Sequence, residues 1–368
     1  MIGHMVVHNV MHRPLRTFIT VLAVAVEVTL VIIVVGLTSG LLLETAKRTE
    51  GVGADIMVQP PSASVFMAFS GAPMPMAIGQ KLEELDPDHI QAVAPVLVQF
   101  NSVNGLDVVY GIDPESFRAV SGGFVLHSGA DLQDANDILV DDVYARAKKV
   151  RVGQNLHILE HDFHVAGIVE HGKGARLFVL MPTLQEMSGA HDKASVFFIK
   201  CDRTDHTPAV MDEVRQLLPR YEIRPLKDFI SLMTSSNLPG LGAFIDTMIG
   251  IAVAIGFLVI FLSMYTTIIE RTREIGVLKS LGASKGYIVR IILSETALLC
   301  AAGIAGGIGL SYLLRSLFIR LFPAMTILIT PGWILRAGVI AIVGGVLGAS
   351  YPAWLASRRD PVEALAYE

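Results

Sequence analysis

Residues Glu270–Ser294 read ERTREIGVLKSLGASKGYIVRIILS. This stretch lies between two long apolar runs, one ending near Ile269 and the next beginning near Ile288, and it carries Arg271, Arg273, Lys279, Lys285 and Arg290. An apolar run of about 20 residues crosses the hydrocarbon core of a bilayer as a helix. A short charged link between two such runs stays on one side of the membrane and meets only what lies there.

Working outward from this link, four apolar runs predict four spans, at 17–43, 243–269, 288–318 and 333–356. The composition agrees: 52% of the 368 residues are hydrophobic and 17% charged, against about a quarter charged in soluble domains. Gly303 and Gly307 in the third span, and Gly344 and Gly348 in the fourth, have the spacing that lets membrane helices approach closely. Basic residues cluster at Arg13 and Arg16, in the 270–287 link and at Arg358 and Arg359. The positive-inside rule therefore places both termini and the link in the cytoplasm. Residues 1–16 read as a cytoplasmic amphipathic segment, 319–332 as a short extracytoplasmic loop and 357–368 as a cytoplasmic tail. The net charge of −5 shows no basic face, which excludes nucleic acid as a partner. Cys201 and Cys300 lie in different settings and fit no disulfide, metal or redox pattern.

Residues 44–242 are long enough for a core of their own. Strand-like runs are predicted at 54–59, 93–100, 107–110, 156–159, 163–169, 176–180 and 195–200, and helices at 79–85, 141–149 and 208–218. The fold class is thus an α-helical membrane protein with four transmembrane helices and a large α+β extracytoplasmic domain inserted between helices 1 and 2. Within this domain, PPSASVFMAFSGAPMPM has neither helical nor strand period yet holds Phe66, Met67, Phe69, Met74 and Met76. An apolar, Met-rich loop suits adaptable contact with lipid, cargo or a partner; the other reading folds it back into the core. Of the clustered His157, His161, His164 and His171, the first three would share a face on one helix, but the strand pattern around 161–162 puts them on different faces or at a turn instead.

Glu27 and Glu295 interrupt the first and third spans. An intramembrane carboxylate faces a protein interior or a water-filled cleft. Two readings stay open for Glu27: a ligand or proton site, or a hydrogen-bonded residue at a helix interface. No G-x-x-x-x-G-K-[ST] phosphate cradle, G-x-S-x-G elbow or H-E-x-x-H helix occurs in the chain. The chain is therefore read as non-catalytic, with no cofactor of its own. The link can form a short helix with Ile275, Leu278 and Leu281 three apart, beside Arg271, Glu274 and Lys279. Gly282 suits its stop. Such a ridge fits a groove in a soluble partner, or lies at the headgroups as a plain connector.

The link also resembles the signature of FtsX-like and MacB-like permeases of the type VII ABC transporter superfamily. The matching residues are Glu270, Arg271, Glu274, Ile275, Gly276, Val277, Leu278, Lys279, Leu281, Gly282, Ala283, Ser284 and Glu295. HRPLRT before span one is similar to the same family. So is the end of the chain, through Tyr351, Pro352, Ala353, Ala356, Pro361, Ala364 and Leu365. The resemblance implies a permease of the bacterial cytoplasmic membrane that pairs with a second permease copy and with two copies of a separate ABC ATPase subunit. ATP and magnesium would bind on that ATPase. Arg271, Glu274, Ile275, Gly276, Leu278, Lys279, Leu281 and Gly282 would form the coupling segment. Closure of the ATPase would move the outer domains by mechanotransmission, for efflux or extraction of a hydrophobic or peptide-like cargo. Membrane lipid and a periplasmic adaptor are further partners within this reading. The alternative from another class is a transducer that activates an extracytoplasmic hydrolase without moving cargo.

Overall fold

The computed structural model describes residues 14–61, 72–101, 107–228, 240–322 and 325–358. Four long apolar helices are present among them: α1 (Pro14–Glu50), α7 (Leu241–Glu270), α9 (Lys285–Leu321) and α10 (Pro331–Arg358). Each outruns its predicted span at both ends, by one residue at least. Pro14 opens α1, where its missing N–H costs nothing, so Arg16 belongs to the helix rather than to a preceding segment. The contacts divide the chain into two compact units, one of 1–39, 240–321 and 327–368, the other of 40–239 with 322–326.

In the membrane unit the small residues decide how close the helices come. A side-chain carbon on Gly303 would lie 2.5 Å from Val24 Cβ, and one on Gly307 would lie 2.7 Å from the Ala25 carbonyl oxygen. This glycine pair therefore seats α1 on α9. Thr29 adds a hydrogen bond from its hydroxyl to the Gly307 carbonyl at 3.0 Å. Gly348 does the same for α10 against α7, with the Phe257 carbonyl 2.9 Å from where its Cβ would be. Val24, Val28, Ile260, Leu299 and Ala341 fill the core between the helices. The faces left exposed carry Phe18, Leu22, Ile255, Leu258, Leu313 and Leu347, as expected of surfaces that meet lipid.

The outer unit is built on one mixed sheet. In chain order it comprises β1 (Ile56–Gln59), β2 (Met74–Pro75), α2 (Ala77–Glu83), β3 (Ile90–Asn101), β4 (Asp107–Ile112), α3 (Pro114–Ser121), β5 (Leu126–Gly129) and β6 (Asp137–Asp141). Then follow α4 (Asp142–Lys148), β7 (Asn155–Ile158), β8 (His161–Val169), β9 (Leu177–Leu180), α5 (Met181–Ser188), β10 (Lys193–Ala194), β11 (Val196–Cys201), α6 (Thr207–Leu217) and β12 (Glu222–Pro225). The strand order is β12-β1-β11-β3-β4-β9-β6-β8-β5, with β7 paired to β8. Most pairs are antiparallel; β4 with β9 and β6 with β8 are parallel. Ile56, Phe197, Ile199, Leu82, Val210 and Val214 make one apolar cluster, and Val109, Ile138, Val140, Phe163, Leu177 and Leu184 a second.

All the strands and helices predicted for this domain are present, with shifted ends. Several others went unread. The fully buried β6 is flanked by acids and lacks alternation, so it carries no half-buried signature. Helix α3 opens on Asp113-Pro114, a pair that also marks turns. Asp113 is in fact the N-cap, accepting from the Ser116 amide at 2.9 Å, with Pro114 at the first helical position. Edge strands β5 and β12 are too short to announce themselves.

The Met-rich loop requires a correction. Met74 lies in β2, opposite Ala194, and is 2% exposed; Met76 packs half-buried on the same core. Pairing with β10 turns Met74 inward, so it is not available to cargo or a partner. Phe66, Met67 and Phe69 lie outside the described residues. The hairpin histidines separate, each taking its own partner: His157 Nδ1 is 2.7 Å from Asp162, His161 Nε2 2.9 Å from Asn136 and His171 Nδ1 2.9 Å from Asp142.

Candidate coupling site

The link between the second and third spans folds as a nine-residue helix, α8 (Thr272–Ser280). It follows α7 directly, with a break at Arg271 where φ and ψ leave the helical range (−106° and 16°). Thr272 softens the break by returning its hydroxyl to the Ile268 and Ile269 carbonyls at 3.0 and 2.8 Å. The far end closes as a Schellman cap. The Ala283 amide donates to Leu278 O and the Gly282 amide to Lys279 O, both at 3.0 Å, with Gly282 at φ +92°. Glycine suits this position because a side chain is strained there. Ser284 then caps α9 by accepting from the Tyr287 amide at 3.2 Å.

The faces of α8 differ from the predicted ridge. Thr272 and Gly276 are buried, and Ile275 and Leu278 are half-buried against the core of the membrane unit. Leu281 is 80% exposed and Val277 42% exposed, on the opposite side. The reason is helical drift: at 100° per residue, positions three apart shift by about 60°, so 275, 278 and 281 cannot hold one line. Leu281 also lies in the cap, past the last turn. The inward face is 272–275–276–278; from it Ile275 and Leu278, with Arg271 and Glu274 at its edge, line a narrow cavity of about 40 Å³ together with Met264, Ile268, Ile292 and Glu295. The outward face is Arg273, Glu274, Val277, Ser280 and Leu281.

Ion pairs hold this geometry. Arg271 donates from Nε to Glu274 at 2.7 Å and from Nη1 to Glu295 at 3.3 Å. It thereby ties the break, the first turn of α8 and the side of α9 together. Glu295 is 8% exposed, and its buried charge is matched by Arg271. Arg16, not expected at this site, reaches from α1 to Thr266 at 2.8 Å, Ser263 at 3.4 Å and Glu270 at 3.4 Å on α7. Thr20 adds a hydroxyl contact with Ser263 at 2.7 Å. The signal available in the sequence was the row Ser263, Thr266, Glu270, which lies on one side of an apolar helix at i, i+3 and i+7.

Glu27, by contrast, does not join this network. It is 6% exposed, and its carboxylate lies against Gly256 of α7, where an added Cβ would fall 1.8 Å from Oε2. Among the described residues its Oε1 has no hydrogen-bond partner. Glu27 therefore lies at the interface of α1 and α7. No group of three or more His, Cys, Asp or Glu among the described residues could hold a metal ion.

A long first span, an inserted α+β domain and a charged helix between spans two and three are the parts of one permease architecture. The family model of the MacB-like periplasmic core domain matches residues 17–217, and that of the FtsX-like permease C-terminal region matches 247–361. The chain belongs to the MacB-like, FtsX-like ABC permeases. The permease is 25% identical over 389 residues to the macrolide export ATP-binding/permease protein MacB of Hahella chejuensis, covering 97% of this chain and 58% of that protein. It is 24% identical over 382 residues to the probable syringafactin export ATP-binding/permease protein SyfD of Pseudomonas syringae pv. syringae, covering 96% and 58%. The permease thus spans somewhat over half the length of these relatives. The solved periplasmic region of MacB from Actinobacillus actinomycetemcomitans aligns with 52% of this chain and 97% of its own, at 16% identity and a TM-score of 0.38. The permease is a membrane protein with an extracytoplasmic domain inserted after its first helix.

Proposed function

We propose that this chain is the transmembrane part of an ABC efflux or extraction system, in which an ABC ATPase, present in two copies, docks on the outward face of α8. Two permease copies assemble, and ATP-driven closure of the ATPase shifts the outer domains by mechanotransmission. The cargo is hydrophobic or peptide-like; the relatives' names, which specify macrolide and syringafactin export, support that class. In this reading the termini and α8 face the cytoplasm, as the basic residues there favour.

The observation that carries the reading is the shape of α8. Arg271 pins its start, Gly276 is buried on its inward face and Gly282 ends it. Val277 and Leu281 are left as an exposed apolar pair beside Arg273 and Glu274. Two exposed apolar side chains flanked by charges on a braced short helix suit a groove in a soluble partner. Ile275 and Leu278 support the helix from beneath, and Lys279 sits at its last turn.

The test is the double variant Val277→Asp with Leu281→Asp, purified from its native membrane with whatever ATPase accompanies it. Both side chains are exposed, so folding is expected to be unchanged. The amount of ATPase retained is expected to drop at least tenfold, the effect of losing about 1.4 kcal/mol or more of binding. Retention equal to wild type rejects α8 as the dock.

A further inference from the structure

Within the outer unit, four charged side chains, Glu44, Arg48, Asp141 and Arg176, form a compact cluster. Glu44 Oε1 accepts a hydrogen bond from Arg176 Nη2 and lies 4.0 Å from Arg48 Nε. Its Oε2 accepts from the Thr326 hydroxyl at 2.9 Å. Arg176 also reaches Asp141 Oδ2 through Nη1 at 3.4 Å. Asp141 is fully buried and Arg176 8% exposed. Two cations and two carboxylates balance. Burial pushes the Asp141 carboxyl up, and the Arg176 and Arg48 guanidiniums draw it back.

These residues come from three parts of the chain. Glu44 and Arg48 lie one turn apart near the end of α1. Asp141 and Arg176 stand at the end of β6 and just before β9. Thr326 lies in the segment leading from α9 to α10. A backbone contact tightens the same place. Gly172 and Gly174, at φ +111° and +90°, bring HGKGAR so close to α1 that a Cβ on Gly51 would fall 1.9 Å from the Gly172 carbonyl oxygen. No alternative side chain fits there.

We propose that Glu44, Arg48, Arg176 and Asp141 are positioning residues of the transport cycle. They form an ionic clasp that fastens the end of α1 and the α9–α10 segment to the sheet of the outer domain, so that a shift of either is delivered to the sheet rather than lost in a loop. This rests on the mechanotransmission reading. Its physical basis is that a buried, charge-balanced network has one well-satisfied arrangement and yields abruptly when one member is removed. A hydrophobic patch in the same place would allow sliding.

The test uses the full chain with its ATPase in lipid nanodiscs, comparing wild type, Arg176→Met and Glu44→Gln. Amide exchange over residues 45–53 is expected to speed up at least tenfold in both variants. The ATP-driven distance change reported by a spin label at exposed Glu115 and one at exposed Leu313 is expected to fall at least fivefold in the single variants. ATP hydrolysis should stay within twofold of wild type, since none of these residues belongs to α8 or to the contacts that brace it. Glu44→Gln keeps the side chain's shape and covers the case in which Arg176→Met fails to fold. Unchanged exchange, or faster exchange with the full distance change, overturns the clasp. A wild type with no ATP-driven change at all overturns the coupling reading itself, and the transmission role with it.

Discussion

Arg271→Met is expected to destabilise the membrane unit by about 3–5 kcal/mol, the range for breaking a buried ion pair from one side. The substitution keeps the length of the stem and removes the charge. Glu295, buried on the flank of α9, then loses the hydrogen-bonded cation that compensates it, and exposed Glu274 loses its anchor. Arg271→Lys is expected to retain part of the loss, because an ammonium cannot donate to both carboxylates with the fork geometry of a guanidinium. Denaturant titration in detergent, with the α8 face monitored by a fluorophore at Leu281→Cys, checks both. An Arg271→Met protein as stable as wild type, with an unchanged fluorophore environment, contradicts the bracing role.

The second large effect concerns Glu27 and has opposite signs at its two partners. Gly256→Ala places a methyl group where Glu27 Oε2 lies, and overpacking of this kind costs about 1–3 kcal/mol. Glu27→Leu removes a carboxylate with an unpartnered oxygen from an apolar interior and is expected to stabilise by about 1–3 kcal/mol. In a Glu27→Ala background the cost of Gly256→Ala should nearly vanish, since the colliding atoms are gone. A double-mutant cycle measures this coupling directly. Additive effects contradict the contact. If Glu27→Leu is stabilising yet abolishes transport, Glu27 is retained for function at a cost in stability.

These two sites mark how far the sequence could be read. The four spans, the inserted domain and its main strands were legible, because apolar length and period-two runs are properties of single segments. The short helix after Glu270 was legible from its charges and from Gly282. Its working face was not. Ile275, Leu278 and Leu281 fall three apart in sequence, but the helix ends before Leu281 and the drift of about 60° between them leaves Ile275 and Leu278 packed inward and Leu281 out. The same limit hid Met74, whose burial depends on pairing with β10 across more than a hundred residues. The Glu44–Arg176 pair was equally invisible, because no local pattern links residues 132 positions apart.

The central claim is that the ATPase sits on the Val277–Leu281 side of α8 while the Ile275–Leu278 side rests on the membrane helices. A photoreactive amino acid placed in turn at 275, 277, 278 and 281, irradiated in native membranes, tests it directly. Cross-links to a nucleotide-binding partner from 277 and 281, with 275 and 278 reacting only within the permease itself, are the expected result. Cross-links to that partner from 275 and 278, with none from 277 and 281, would contradict it.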